Sequence, residues 1–140
     1  MLEYIILYVL LVEYNKINKE PSEYDKLVEE YKMRRRNGRI GKDGRIYVFH
    51  RRSCKNANES VYKIGKTTQR ISQRLKNYER GTERIKHWPV YDCDKMERII
   101  LLKLREIYKS RTDYSTEDFE VDRYLLTDTI KEIIQICERD

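Results

Sequence analysis

Residues 44–75 read GRIYVFHRRSCKNANESVYKIGKTTQRISQRL. Residues 45–50 alternate between two sets of side chains, as a strand with two different faces requires. Residues 60–65 alternate in the same way, and the polar, basic stretch 51–59 joins the two segments. The pattern predicts two antiparallel strands connected by a loop.

A basic amphipathic helix is predicted directly after these strands. Thr67 or Thr68 can cap it, Gly81 ends it, and its inner face is formed by apolar side chains three and four residues apart, namely Ile71, Leu75 and Tyr78. The basic side chains in and just before this helix form a face on which we expect nucleic acid to bind: Lys66, Arg70, Arg74, Lys76 and Arg80.

Positive charge is concentrated around this segment. Residues 31–90 contain 18 Lys and Arg against 4 Asp and Glu, whereas the rest of the chain contains 12 against 20, within a net charge of +6. Such a field attracts a polyanion, and nucleic acid is the commonest one. A solvated surface without a partner is the alternative, and the motif inside the basic segment favours nucleic acid.

Three further helices are predicted from apolar side chains that recur at helical spacing. Ser22 can cap the first of them, which ends at Asn37 and Gly38. The second opens at Asp94, and the last is capped by Thr127 or Asp128.

The predicted sheet is small. Residues 85–91 form a third strand, at an edge because Pro89 interrupts it. Residues 110–118 form a polar loop, and 119–121 a possible short strand. The predicted fold class is α+β, with a mainly antiparallel three-stranded sheet flanked by helices.

The first segment of the chain is almost wholly apolar. Residues 2–12 are too few to span a bilayer, which takes about 20 residues, and they lack the basic start and cleavage site of a signal peptide. We predict a buried helix, with a strand as the alternative. An apolar helix here must be covered by the domain or by a second copy, so we predict a possible homodimer through residues 2–12. We divide the chain into residues 1–43, a helical accessory segment with a basic hinge, and residues 44–140, the main domain.

The cysteines predict a reducing compartment. Cys54, Cys93 and Cys137 are far apart and form no metal-binding pair, and the chain has only two histidines. They are interpreted as free thiols. An intracellular location follows, in the cytoplasm, the nucleus or a viral replication site.

The order of several short motifs resembles that of the GIY-YIG nuclease superfamily, in particular its phage- and large-virus-borne DNA-binding branch. IYVF at 46–49 is followed by VYKIG at 61–65, by an arginine in the next helix and by an isolated glutamate. The resemblance covers about residues 44–121, including the TEDFE stretch at 116–120. It implies a metal-dependent DNA endonuclease with Mg²⁺ or Mn²⁺ as cofactor.

The resemblance also implies roles for individual residues. Tyr47 matches the tyrosine that acts as, or near, the general base. Arg74 matches the arginine that stabilises the phosphate, and Glu97 matches the metal-binding glutamate. Lys63 stands where the second motif has a tyrosine, and Tyr62 lies one residue earlier.

Lysine at position 63 is compatible with catalysis. Antiparallel pairing can bring Lys63 onto the same face as Tyr47, depending on register. An ammonium group near a tyrosine favours the phenolate that a base requires. Tyr62 is expected to face the other way, so it cannot simply replace the missing tyrosine.

Each of these residues also has a structural interpretation. Glu97 has the spacing of a helix capping box with Asp94, and Arg74 could contact a phosphate in a protein that binds without cutting. The alternative to an endonuclease is therefore a non-catalytic DNA-binding module that keeps the fold and the basic face. A third hypothesis is an RNA- or protein-interaction domain that uses the same surface.

Overall fold

A five-stranded antiparallel sheet is the centre of the protein. The computed structural model describes residues 2–18 and 20–139, and the side chains of all of them except 12–18. The strands lie in the order β3-β1-β2-β5-β4. Their bounds are β1 Gly44–His50, β2 Val61–Thr67, β3 Glu83–Val90, β4 Lys109–Ser110 and β5 Asp118–Glu120. The predicted α+β class is confirmed, as is the edge position of the strand that contains Pro89.

The prediction of three strands is wrong, because the sheet has five. The two further strands, β4 and β5, have two and three residues, and β5 overlaps the short strand suggested at 119–121. Strands of that length are too short to show the alternation that identifies a strand in a sequence. One ladder partner of β5 also lies far away in the chain, since Tyr62 of β2 pairs with Phe119.

The described residues form six helices beside the sheet: α1 Leu2–Asn18, α2 Glu23–Arg36, α3 Arg52–Asn56, α4 Ile71–Leu75, α5 Cys93–Ile107 and α6 Arg123–Glu138. The short α3 lies in the stretch predicted to be a loop, and it buries one side chain, Cys54. All three cysteines are free and buried, which confirms the prediction of free thiols.

The starts of α4, α5 and α6 differ from the predicted ones. Ser22 caps α2 with a reciprocal capping box, as predicted. The caps of α5 and α6 are Asp92 and Asp122, whose carboxylates accept from backbone N–H groups of the first turn. Neither Thr67 nor Thr68 caps α4, which begins after Arg70 without a side-chain cap.

Three helices cover one face of the sheet. The apolar sides of α2, α5 and α6 pack against each other and against Ile46, Val48 and Ile64 of the central strands. The Tyr31 hydroxyl crosses between elements, since it donates to the Glu138 carboxylate at 2.5 Å and accepts from the Asp92 backbone N–H at 3.1 Å. The helix α2 is therefore part of the core, and the division of the chain at residue 43 stays a prediction.

A smaller apolar cluster covers the opposite face of the sheet. Tyr47 and Phe49 of β1 pack with Ile71 of α4, and the partly buried Leu75 and Tyr78 complete the cluster. This confirms the predicted inner face of the segment after β2. The helix itself ends earlier than predicted, at Leu75, so Tyr78 lies in the irregular segment that follows it.

The helix α1 lies apart from both cores. Its apolar side chains from Leu2 to Leu11 are each more than half exposed. The domain therefore does not cover the segment that was expected to be buried. No helix in the described part of the chain is long and apolar enough to cross a membrane.

Candidate functional site

Tyr47 lies in the middle of β1 and is fully buried. Its partner on β2 is Gly65. A Cβ atom on Gly65 would lie 2.2 Å from both Cζ and the hydroxyl oxygen of Tyr47, a distance at which no side chain fits. The glycine that ends the second motif therefore makes the space in which the tyrosine ring lies.

The Tyr47 hydroxyl is held by two side chains. Arg74 of α4 donates from Nε to the Tyr47 oxygen at 3.1 Å. The Tyr78 hydroxyl lies 2.6 Å from the same oxygen. The Arg74 guanidinium is also 5.8 and 5.7 Å from the ring centroids of Tyr47 and Tyr78, a cation–π distance. Two of the predicted site residues, Tyr47 and Arg74, are thus in direct contact.

Lys63 faces the same side of the sheet as Tyr47. Their strands pair so that Lys63 is opposite Phe49, two residues from Tyr47 along β1. The ammonium group of Lys63 forms an ion pair with Glu117, from the segment just before β5. The carboxylate of Glu117 therefore neutralises much of the positive charge that was expected to act on Tyr47.

Glu97 lies half-buried on α5. Burial, followed by the negative charge of Glu117, raises the pKa of the Glu97 carboxyl, while Lys66 and Lys63 act in the opposite direction. Glu97 therefore shares one electrostatic environment with Lys63 and Glu117. The capping-box interpretation of Glu97 is wrong, since Asp92 is the cap and Glu97 lies beyond the third residue of the helix.

A polar cavity of about 300 Å³ opens beside Arg74. Its wall is formed by the end of β2, the turn before α4 and the start of α5, with the residues Lys42, Lys66, Thr67, Thr68, Gln69, Arg74, Asn77, Cys93 and Asp94. Asp94 pairs with Lys66 at 2.6 Å and with Lys42 at 3.3 Å. The hydrogen bond from Lys66 holds the pKa of the Asp94 carboxyl below its ordinary value.

The other predicted contact residues lie on the outer surface of the same segment. Arg70, Lys76 and Arg80 are exposed. Lys76 and Arg80 border a second, larger cavity of about 720 Å³, together with Tyr78 and Arg84. Exposed cations thus continue from the Arg74 cavity across α4, which is the surface a nucleic-acid backbone requires.

Tyr62 is not part of this site. Its ring lies on the helix-covered face, in the main core, where it packs 4.8 Å from the His50 ring. Its hydroxyl accepts from Arg123 of α6 at 3.4 Å. The prediction that Tyr62 faces away from Lys63 is confirmed.

The sequence analysis did not predict the contacts of three residues near the site. Tyr78 was assigned only to an apolar face, although its hydroxyl contacts Tyr47. Glu117 was not assigned as a partner of Lys63, because 54 residues separate the two. Asp94 was interpreted only as a helix start. The TEDFE stretch was the one available signal for Glu117.

The carboxylates are compatible with a weakly held divalent cation. The described residues contain no group of three or more His, Cys, Asp or Glu side chains placed to hold a metal ion. Among the same residues Glu97 forms no hydrogen bond and no ion pair, although it is half-buried beside another carboxylate. A bound cation would offset both the burial of the Glu97 carboxylate and its repulsion by Glu117. Mg²⁺ accepts one protein carboxylate with water and phosphate oxygens as its other ligands.

Comparison with protein families gives a match over most of the chain. The T5orf172 domain matches residues 44–138. The chain belongs to the T5orf172 domain family. This is a phage-associated family of DNA-binding or nuclease-like domains. The T5orf172 match spans all five strands and the helices α3 to α6.

The T5orf172 match does not by itself assign the chain to the GIY-YIG superfamily, so that finer resemblance remains a proposal. No curated protein shows a significant match to the chain. No solved structure matches it either.

Proposed function

We propose that this T5orf172 domain is a GIY-YIG-like DNA endonuclease that hydrolyses phosphodiester bonds with Mg²⁺ or Mn²⁺. The observation that carries the proposal is the bond from Arg74 Nε to the Tyr47 hydroxyl, at the border of the polar cavity. One guanidinium connects a candidate base with the space into which a phosphate fits. Its terminal nitrogens remain to donate to phosphate oxygens.

Tyr47 is proposed to prepare the attacking water. In its phenolate form, the Tyr47 oxygen takes a proton from water. The resulting hydroxide forms a bond to phosphorus, the bond between phosphorus and the leaving oxygen breaks, and that oxygen takes a proton from solvent. The cationic Arg74 stabilises the negative charge that accumulates on the phosphate.

Glu97 is proposed to hold the divalent cation. A bound cation of this kind polarises the phosphate and lowers the pKa of a coordinated water. Glu97 is suited to the role because its carboxylate is half-buried, close to a second carboxylate and free of ion pairs among the described residues. Lys63 and Glu117 then set the local charge next to the site.

DNA is the proposed substrate because of the surrounding charge. Arg70, Lys76 and Arg80 are exposed beside the cavity and meet the requirements for phosphate contacts. Such contacts position a duplex without reading its sequence. The family match to phage-associated DNA-binding or nuclease-like domains supports the same substrate class.

A DNA-binding module without turnover is the second candidate, and a specific observation favours it. Tyr47 has no exposed surface, because Arg74 and Tyr78 cover its hydroxyl. Water reaches that oxygen only if one of these side chains moves. The pairing of Lys63 with Glu117 also neutralises much of the charge that was expected to activate Tyr47.

Cleavage of supercoiled plasmid separates the two functions. The wild-type protein is incubated with Mg²⁺, with Mn²⁺ and with chelator, beside Glu97→Ala and the control Glu106→Ala. Glu106 is exposed on the same helix. An endonuclease nicks the plasmid only with metal, loses this activity in Glu97→Ala and keeps it in Glu106→Ala. Salt-sensitive binding without nicking under either metal contradicts the first proposal and supports the second.

A further inference from the structure

The chain between α2 and β1 carries positive charge just outside the matched family domain. Residues 34–45 contain six Lys and Arg and a single acidic residue, Asp43. The T5orf172 match begins at residue 44, so most of this charge precedes the matched residues. Residues 37–43, which join the end of α2 to β1, are called the connector below. The positive surface of this chain therefore extends beyond the matched domain.

The connector is held to the rest of the protein at both ends. The backbone N–H of Arg39 donates to the carbonyl of Arg34 at 3.0 Å, which closes the end of α2. The carbonyl of Lys42 accepts from the backbone N–H of Cys93 at 2.8 Å. Between these bonds, Gly41 packs so closely that a Cβ atom there would lie 2.6 Å from the carbonyl oxygen two residues before α5. The side chain of residue 40 is therefore presented from a fixed backbone.

That side chain is apolar and almost wholly in solvent. Ile40 is 94% exposed, more than any other large apolar side chain that the structure describes. The neighbouring Arg39 is also exposed, and its side chain forms no ion pair or hydrogen bond with the described residues. A single exposed apolar side chain is common on protein surfaces. Ile40 differs from that ordinary case because it lies between two cations, Arg39 and Lys42, on a fixed backbone.

Lys42 places the connector at the wall of the cavity in which a phosphate is proposed to bind. Its ammonium group lies 3.3 Å from Asp94, whose other partner, Lys66, lines the same cavity. Two residues of chain span at most about 7 Å between Cα atoms, which is about two base pairs of duplex rise. A duplex with a phosphate in the cavity therefore brings its neighbouring nucleotides within reach of Ile40 and Arg39.

We propose that the connector is a second DNA-contacting surface, on which Arg39 binds a phosphate and Ile40 packs against sugars and base edges in the adjoining groove. The inference rests on the DNA substrate of the proposed function and not on its cleavage. Apolar side chains such as isoleucine contact base steps in this way beside basic residues in proteins that bind DNA grooves. Together with the exposed cations of the α4 segment, the connector holds the duplex at the cavity from a second element.

Arg39→Gln and Ile40→Ala test the two contacts separately. Their matched controls are Lys131→Gln and Leu125→Ala, because Lys131 and Leu125 are exposed on α6, across the sheet from α4. Affinity for a fluorescein-labelled duplex of about 20 base pairs, or two helical turns, is measured by fluorescence anisotropy from about 50 to 200 mM salt. Chelator is present throughout, so that the measurement does not depend on cleavage.

The two variants are expected to differ in their response to salt. Arg39→Gln should weaken binding and reduce the slope of log affinity against log salt by about 1, since one phosphate contact is lost. Ile40→Ala should weaken binding about 5- to 10-fold, because less apolar surface is buried against the duplex. Its slope should equal that of the wild type, since an apolar contact releases no counterion. Both control variants keep the wild-type affinity and slope.

Failure of this inference is distinguishable from failure of the proposed DNA substrate. Wild-type affinity and slope in both connector variants, beside weaker binding by Lys76→Gln in the α4 segment, would show that DNA binds through the matched domain alone. An equal loss in Ile40→Ala and Leu125→Ala would also overturn the contact assigned to Ile40. Absence of salt-sensitive DNA binding by the wild-type protein would end the proposed DNA substrate itself, and this inference with it.

Discussion

Arg74 donates from Nε to the hydroxyl oxygen of Tyr47 across 3.1 Å, although the two residues belong to different elements. Arg74→Lys therefore tests the proposed site. A lysine carries all its donors on one nitrogen, so it cannot contact Tyr47 and a phosphate from two separate nitrogens as the guanidinium can. We expect cleavage to fall about 100-fold or more, while DNA affinity changes little because the charge is kept.

The matched control for this change is Arg70→Lys. Arg70 lies four residues earlier and is exposed. We expect it to cleave at the wild-type rate. Equal losses in the two variants would assign Arg74 to general phosphate binding.

The ion pair between Lys63 and Glu117 is predicted to be important for stability. Lys63 is buried, and its removal leaves Glu117 without its ion-pair partner in the environment of Glu97. We expect Lys63→Met to lower the free energy of unfolding by about 3 kcal/mol. The double variant Lys63→Met/Glu117→Gln recovers most of that loss, because no unpaired charge remains. Urea denaturation measures both.

An exposed pair on α5 provides the control for that cycle. Lys103 and Glu106 lie 3.7 Å apart at the helix surface. We expect Lys103→Met to cost less than about 1 kcal/mol. If the effects of the Lys63 and Glu117 substitutions simply add, the pair has no coupling and the prediction fails.

A homodimer through the exposed helix α1 is a further prediction. Its apolar side chains are uncovered on every side from Leu2 to Leu11, and an identical helix offers a matching surface. The side chain of residue 12, which the sequence prediction included, lies outside the described side chains. Sedimentation equilibrium at micromolar concentration should show a dimer for the wild type and a monomer for Leu7→Glu.

Ile40→Glu is the control for self-association. Ile40 is 94% exposed but lies in the segment between α2 and β1. This variant should remain dimeric. A monomeric wild-type protein at these concentrations would refute the dimer.

A pH-dependent contribution to stability is predicted for Glu59. Hydrogen bonds from Tyr114 and Arg111 hold the pKa of its carboxyl below the ordinary value. Because the folded-state pKa is lowered, this stabilisation is present above the unfolded pKa and is lost as the pH falls through the folded pKa. Glu59→Gln should therefore melt at a lower temperature than the wild type at pH 7.

The difference for Glu59→Gln should shrink below about pH 4, where glutamate takes up its proton, and vanish once the wild-type residue is protonated. Thermal melts by circular dichroism at several pH values measure it. A constant difference across the pH range would show that the substitution acts through shape and not through charge.

Much of the fold was predictable because it depends on local patterns. The alternation in residues 45–50 and 60–65 predicted β1 and β2, and the register that places Tyr47 and Lys63 on one face follows from that alternation once the strands pair. The apolar stripes of α2, α5 and α6 were visible at helical spacing. Contacts between neighbours along the chain decide such features.

Other features depend on contacts between distant parts of the chain. The strand β4 is too short to carry a pattern of its own, and β5 is placed in the sheet by its pairing with the distant β2. The cap of α5 is Asp92, two residues before the predicted Asp94, because the helix begins at Cys93.

By itself the sequence determined which face of the sheet carries Tyr47, where the basic surface lies and which faces of α2, α5 and α6 are apolar. Only the tertiary structure decided the partners of the site residues. Arg74 and Tyr78 reach the Tyr47 hydroxyl, and Lys63 meets Glu117. The physical reason is that periodicity fixes the direction of a side chain, whereas its hydrogen-bond partner depends on how separate elements pack.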